Sequence, residues 1–231
     1  MRKPTFIKGL DDILCGGFIS PSTVLIAGTA GSGKTNLCLQ SLFHASGRGE
    51  KCAYISLLSG SRNKVISTTR QLGFFDDQVL TSGMLAIHSI GTDIIAKGDF
   101  SIFEYITDTV LSTSPTRVVI DTITILEAIG STFEEREFRG CELRAFTQNL
   151  FMEFEERGIL LMVTGEIKPE SITLSHWSYM ADTILSLERK TTESRLERHL
   201  EVIKMRGSDF IPGKHPFVIG PEGIDMLEKG A

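Results

Sequence analysis

The sequence has no apolar run long enough to cross a bilayer. The longest lies near Ile159-Leu160-Leu161-Met162-Val163, whereas a spanning helix needs about 20 such residues. No membrane span is therefore expected, and Met1-Arg2-Lys3-Pro4 does not lead into the apolar region of a signal peptide. Cysteines are few and scattered. Cys15, Cys38, Cys52 and Cys141 form no C-x-x-C pair, so neither a disulfide framework nor a zinc site is expected, and free thiols suit a reducing cytoplasm. Excess positive charge is missing too. Lys plus Arg number 24 against 29 Asp plus Glu, a net charge of −5, which gives no whole-protein attraction to nucleic acid or anionic membrane. There is no internal repeat, no low-complexity stretch and no linker, so residues 1–231 are expected to form one domain. The composition, 41% hydrophobic and 23% charged, is that of an ordinary globular chain.

What the sequence does have is Gly28-Thr29-Ala30-Gly31-Ser32-Gly33-Lys34-Thr35, with Asn36 next. This reads G-x-x-x-x-G-K-[ST], a phosphate-binding P-loop. The apolar run Thr23 to Ala27 leads in as a buried strand, and Asn36 to Phe43 leads out as a helix. In that setting successive backbone N–H groups at a helix N-terminus curl around an anion, and the helix dipole adds positive potential. Lys34 is then expected to reach the β- and γ-phosphates of a nucleotide, and the Thr35 hydroxyl to bind Mg²⁺. Val118-Val119-Ile120-Asp121 is three aliphatics ending in a carboxylate. In a P-loop protein it reads as a strand beside the P-loop strand, with Asp121 holding the Mg²⁺ hydration shell.

Around these motifs strands and helices alternate. Strands are expected at Lys51 to Leu57, Leu85 to His88, Val118 to Asp121 and Ile159 to Thr164. Helices are expected at Gly9 to Leu14, Arg62 to Leu72, Asp99 to Leu111 with Asp99 as N-cap, and Glu134 to Arg157. In the last, Phe138, Cys141 and Ala145, then Leu143, Phe146, Leu150 and Phe154, recur at helical spacing. After Asp182 the helices stop: Thr183 to Leu187, Leu196 to Arg206 and Phe217 to Ile219 read as antiparallel additions at one sheet edge. The fold expected is α/β, a RecA-like P-loop NTPase core: a mostly parallel sheet, helices on both faces, antiparallel C-terminal edge strands.

From Gly9 to about Ile224 the chain resembles the KaiC branch of the RecA-type ATPases. The residues that carry the likeness are Gly9-Leu10-Asp11 with Gly16-Gly17, the P-loop, Arg117 to Asp121, Glu142-Leu143-Arg144, Val163 to Glu166 and Ala181-Asp182. The most specific is Leu200 to Gly207, ending Lys204-Met205-Arg206-Gly207, with His215-Pro216-Phe217 after it. The resemblance implies a RecA core, with ATP bound between the subunits of a hexameric ring. On a strand, residues two apart share a face ~6.6 Å along the chain, so Lys204 and Arg206 point the same way. In KaiC-like rings this Lys and Arg reach the γ-phosphate on the neighbouring subunit.

The chain also departs from that pattern. KaiC-like ATPases usually carry two adjacent glutamates after the second strand, which orient and deprotonate the attacking group; Leu58 and Ser59 stand there instead. Neither supplies a general base. Glu166 is the available substitute. Phe210 stands where many relatives have a histidine. Ser178-Tyr179 matches the pair phosphorylated in the clock autokinase domain, although a polar loop before a strand accounts for it as well. Three functions fit these residues: an ATP-binding regulator with slow or absent hydrolysis and a protein partner; an active ATPase or autokinase using Glu166; or a RecA/RadB-like DNA-binding recombination paralogue, against which the net charge weighs.

Overall fold

The computed structural model describes residues 1–57, 61–90, 101–111, 113–127, 140–191 and 195–227, without the side chains of 101–104, 111 and 140–143. Leu58 and Ser59, the Asp99 cap and the helix start at Glu134 with Phe138 lie outside them, as do the side chains of Cys141 and Leu143.

Two short strands, β1 (Arg2–Lys3) and β2 (Phe18–Ile19), pair antiparallel around α1 (Leu10–Ile13). The chain then builds the main sheet. In order come β3 (Ser22–Gly28), α2 (Lys34–Ser46), β4 (Cys52–Ser56), α3 (Arg62–Thr69), α4 (Asp77–Thr81), β5 (Leu85–Ser89), α5 (Ser101–Leu111), β6 (Arg117–Asp121), α6 (Gly140–Glu156) and β7 (Leu160–Glu166). A 3-10 turn at Pro169–Leu174 and α7 (His176–Met180) lead to β8 (Thr183–Thr191), β9 (Leu196–Met205), β10 (Lys214–Gly220) and β11 (Gly223–Met226).

Among the described residues the sheet has nine strands in the order β11-β10-β9-β8-β3-β7-β6-β4-β5. The six from β8 to β5 are mutually parallel, and β9, β10 and β11 are antiparallel additions. Two expectations change here. Thr183–Thr191 joins β3 in parallel, because the 3-10 turn and α7 make a crossover that the sequence does not advertise. The Asp121 strand does not adjoin the P-loop strand: β7 lies between them and pairs with both.

Alternation along the central strands divides the core. Val24, Ile26, Tyr54, Val119 and Met162 pack on the face covered by α2. Leu25, Ala27, Ile55, Ile120 and Val163 pack on the other, against Ile106 and Val110 of α5 and Phe146, Leu150 and Phe154 of α6. Strands buried on both faces are what a parallel sheet requires. Of the two stripes expected on α6, the one through Phe146 is buried, while Ala145 faces solvent.

A charged cluster ties the amino ends of these strands together. Arg117, fully buried at the start of β6, donates to Glu50 Oε2 at 3.0 Å, Ser41 Oγ at 2.7 Å and the Pro4 carbonyl at 2.9 Å. Lys3 Nζ reaches Glu50 Oε1 at 2.6 Å. Burial pushes the Glu50 carboxyl up, but Arg117 and Lys3 outweigh it and hold the group below its ordinary value. Such a group stabilises fully above the ordinary carboxylate range, and that contribution is lost as pH falls through it and below. Glu50→Ala, which strands two buried cations, is expected to cost about 3–5 kcal/mol in urea denaturation. Glu50→Gln should flatten the loss of stability expected as pH falls from about 6 to about 3.

Candidate nucleotide-binding site

β3 ends at Gly28, where the backbone runs too close to its surroundings for any side chain. A Cβ there would lie 2.4 Å from the Leu187 carbonyl oxygen and 2.7 Å from Ser32 Oγ. Gly33, the N-cap of α2, has a φ of +111°, and a Cβ on it would lie 2.9 Å from Ile219 Cδ1. Between these glycines the loop curls back over the start of α2, with N–H groups at a helix N-terminus as an anion site demands.

Lys34 opens the helix with 6% of its surface exposed. Its Nζ donates to the carbonyls of Gly28 at 2.8 Å and Thr29 at 2.9 Å, and stands 3.7 Å from Glu166 Oε1. Burial lowers its pKa, with Glu166 and Asp121 pulling the other way. Thr35 Oγ1 donates to Asp121 Oδ2 at 2.7 Å. The same carboxylate oxygen accepts from Tyr54 Oη at 2.6 Å, and Oδ1 accepts from Thr164 Oγ1. Cys38, one turn further along α2, is inert: burial, and then Asp121, push its thiol well above the ordinary range.

These groups face a cleft of about 820 Å³, lined by Lys34, Thr35, Asn36, Asp121, Glu166 and Arg198 among others. That volume falls within the roughly 300–1,000 Å³ of small-molecule sites. A nucleotide fits what is present. Ser32 Oγ in the loop is buried with no hydrogen-bond partner among the described residues, the glycines leave no room for a Cβ, and a hydroxyl beside a carboxylate is a hard-oxygen donor set. Thr29, Ala30 and Gly31 complete the loop. The sequence motifs put Lys34, Thr35, Asp121 and Glu166 around one nucleotide, and the structure brings them together. They do not reveal Tyr54, Thr164 and Arg198. Tyr54 and Thr164 read only as good strand formers, and no signal marks them until the register places them beside Asp121.

Lys204 and Arg206 are elsewhere. Lys204 pairs with Ile184 and so lies level with Leu25, while the Arg206 N–H donates to the Asp182 carbonyl, level with Thr23. They are thus three to five residues, roughly 10–16 Å of strand, short of Gly28 toward the amino end of β3. They share a face as expected. Lys204 Nζ donates to the Ser178 carbonyl at 2.8 Å, and Arg206 Nη2 to the Tyr179 carbonyl at 3.1 Å. Arg206 also pairs with Asp182 at 3.3 Å. Burial, then Arg206, lower the Lys204 pKa. The Ser178 hydroxyl is buried and donates to the Ser175 carbonyl at 2.7 Å, while Tyr179 is exposed. Phe210 packs half-buried against the core.

A phosphate loop at the carboxyl end of a parallel strand, with a carboxylate facing its threonine across an intervening strand, defines a RecA-type P-loop nucleotide-binding protein. The family model described as "ATPase: KaiC" matches residues 3–231. The chain belongs to the KaiC family and is a KaiC-like ATP-binding protein. It is 27% identical over 234 residues to the circadian clock protein KaiC2 of Synechocystis sp., covering 98% of this chain and 40% of that protein. It is likewise 27% identical over 236 residues to the circadian clock oscillator protein KaiC of Acaryochloris marina, covering 98% and 44%. The chain thus spans less than half the length of these relatives. The crystal structure of the KaiC-like protein PH0186 from Pyrococcus horikoshii OT3 shares the fold, with a TM-score of 0.80 at 24% identity and 99% of each chain covered. Among the described residues no helix is long and apolar enough to cross a membrane.

Lys34 is the buried cation of this loop and the one expected to face the phosphates of a bound nucleotide. Lys34→Ala is expected to weaken ATP binding at least about a hundredfold in calorimetry, since several charge-assisted hydrogen bonds go with it. Equal affinity in both proteins would contradict the assignment.

Proposed function

We propose that residues 1–231 act as a single ATP-binding regulatory domain that assembles into a ring, holds ATP with Mg²⁺ and turns it over slowly or not at all. The observation that carries this reading is the Thr35–Asp121 pair at 2.7 Å beside a buried Lys34, all facing one cleft. The backbone of Gly28 to Asn36 would wrap the phosphates, Lys34 would neutralise the β- and γ-groups, and Thr35 with Asp121 would hold Mg²⁺ and its waters. When bound, the ion supplies charge neutralisation on the transferring phosphoryl group. Tyr54 and Thr164 fix the Asp121 carboxylate in place, the kind of outer support that sets metal affinity.

Slow turnover is inferred from the residues just beyond β4. Ser56 is level with Asp121 in the register, and the Leu57 N–H donates to the Asp121 carbonyl at 2.7 Å, so the chain leaves β4 beside Asp121. Leu58 and Ser59 come next in sequence, where related ATPases carry their glutamates, and neither can take a proton from water. The ring is inferred from Lys204 and Arg206. They cannot serve their own P-loop from the far end of the strands, so they are assigned to a neighbour's γ-phosphate. Tyr179, whose carbonyl Arg206 binds, is 70% exposed, and Leu174 of the preceding 3-10 turn is 79% exposed, surface of the kind a subunit contact buries. Nucleotide occupancy would then set the assembly and the choice of a protein partner.

A second reading has one observation behind it. Glu166, at the end of β7, lies 3.7 Å from Lys34 Nζ, close enough to the γ-phosphate position to serve as general base in an active ATPase or autokinase.

Phosphate release separates the two. The wild-type chain is expected near background, and the pair Leu58→Glu with Ser59→Glu to raise release by about 10²–10⁴-fold, the usual contribution of a general base. Turnover in the wild type that disappears in both Lys34→Ala and Glu166→Gln would establish Glu166 as the base instead. Light scattering tests the ring: ATP should drive assembly, and Lys204→Ala or Arg206→Ala should abolish the ATP dependence.

A further inference from the structure

The segment after Asp121 faces two ways. Thr122, Thr124 and Ile125 line the nucleotide cleft. Two residues later the chain turns to α7. Glu127 Oε1 accepts from Trp177 Nε1 at 2.7 Å and faces His176 Nδ1 at 3.1 Å. The two rings lie against each other, tilted by 39°, with centroids 4.2 Å apart. Trp177 is 1% exposed and is the only tryptophan of the chain. Burial lowers the His176 pKa; Glu127 opposes this and Arg144 adds to it. Its Nδ1 is the ring nitrogen that faces Glu127, and Nε2 is buried without a partner among the described residues.

One carboxylate oxygen holding the first two side chains of a five-residue helix fixes where that helix starts and how its carbonyls point. Those carbonyls are what Lys204 and Arg206 bind: Ser178 O at 2.8 Å and Tyr179 O at 3.1 Å. Thr124 completes the inner end of the chain of contacts, since its hydroxyl accepts from the Glu166 N–H at 3.1 Å at the mouth of the cleft. The path runs from one subunit's own nucleotide cleft to the cations it presents elsewhere.

We propose that Glu127 is a positioning residue. Acting through Trp177 and His176, it sets α7, and with it Lys204 and Arg206, according to the nucleotide in its own subunit's cleft. The inference rests on the reading that these cations serve a neighbouring subunit. In a ring, occupancy of one cleft then biases the next. Glu127 itself is exposed, but the Trp177 it holds is not, and removing the acceptor from the buried indole N–H shifts a two-state balance by about tenfold.

Trp177 provides the readout. Its emission is recorded while ATP with Mg²⁺ is titrated into the wild-type chain, dilute enough for light scattering to report a monomer, with calorimetry tracking binding in parallel. The emission is expected to change along the binding curve. Glu127→Ala should bind ATP within about twofold of wild type yet lose that change, and should need about tenfold more protein for ATP-driven assembly. Glu127→Gln, whose amide oxygen still accepts from Trp177, should restore most of the emission change. Emission that stays flat through saturation in the wild type, or changes fully in Glu127→Ala, overturns the proposal. Assembly that is indifferent to both Lys204→Ala and Arg206→Ala overturns instead the reading beneath it, and the link between subunits falls even where the emission change stands.

Discussion

Everything in this site depends on one carboxylate. Asp121 closes β6, accepts from Tyr54 of β4 and Thr164 of β7, and so joins three neighbouring strands at their carboxyl ends. Its bond from Thr35 then crosses β7 to reach α2, which continues from β3. A single anion thereby fixes the P-loop helix relative to four strands. Burial at 5% exposure makes this possible only because hydrogen-bond donors satisfy the charge. It also means that the oxygen proposed to hold Mg²⁺ is kept in position by bonds within the protein beforehand, which would lower the reorganisation that binding an ion requires.

The parallel sheet gives the domain two chemically different ends. At the carboxyl ends of the strands lie the P-loop, Asp121 and Glu166, as open parallel sheets place their ligands. At the amino ends lie the buried Arg117–Glu50–Lys3 cluster and, on the antiparallel extension, Lys204 and Arg206. β9 runs against its neighbours, so a strand that begins near the nucleotide cleft, with Arg198, finishes at the far end with the two cations. One strand therefore serves both surfaces, and a ring could use it to contact two nucleotides.

Much of this is legible in the sequence because it rests on local rules. The P-loop needs a glycine at 28, where a Cβ would meet the Leu187 carbonyl, and at 33, where φ is +111°, and those constraints write themselves into the pattern. The aliphatic run into Asp121 is local as well. What stays hidden depends on which strands become neighbours. Nothing in Arg117 to Asp121 says that β7 will slip between it and β3, and nothing in Cys52 to Ser56 says that the Tyr54 hydroxyl will meet Asp121. The crossover before β8 escapes a reading of the pattern because a 3-10 turn and a five-residue helix carry too few periodic positions to register as helical. Ala145 falls on the wrong face of α6 for a related reason: a small residue at helical spacing fits either face, and only packing decides.

The pairing of Lys34 with Glu166 shapes how the site would receive a nucleotide. Burial weakens the lysine's hold on its proton, and the two carboxylates near it oppose that effect without outweighing it. A γ-phosphate brought to Lys34 would offer the lysine a stronger anionic partner while repelling Glu166, since like charges a few ångströms apart are costly where water is scarce. The glutamate can yield, because 54% of its side chain is already exposed, whereas Lys34, at 7%, cannot leave. Binding would therefore exchange one partner of a fixed cation rather than move the cation. The same exchange would pull on β7 and, through the Glu166 N–H, on Thr124, so the segment that lines the cleft feels whether phosphate or carboxylate stands opposite Lys34.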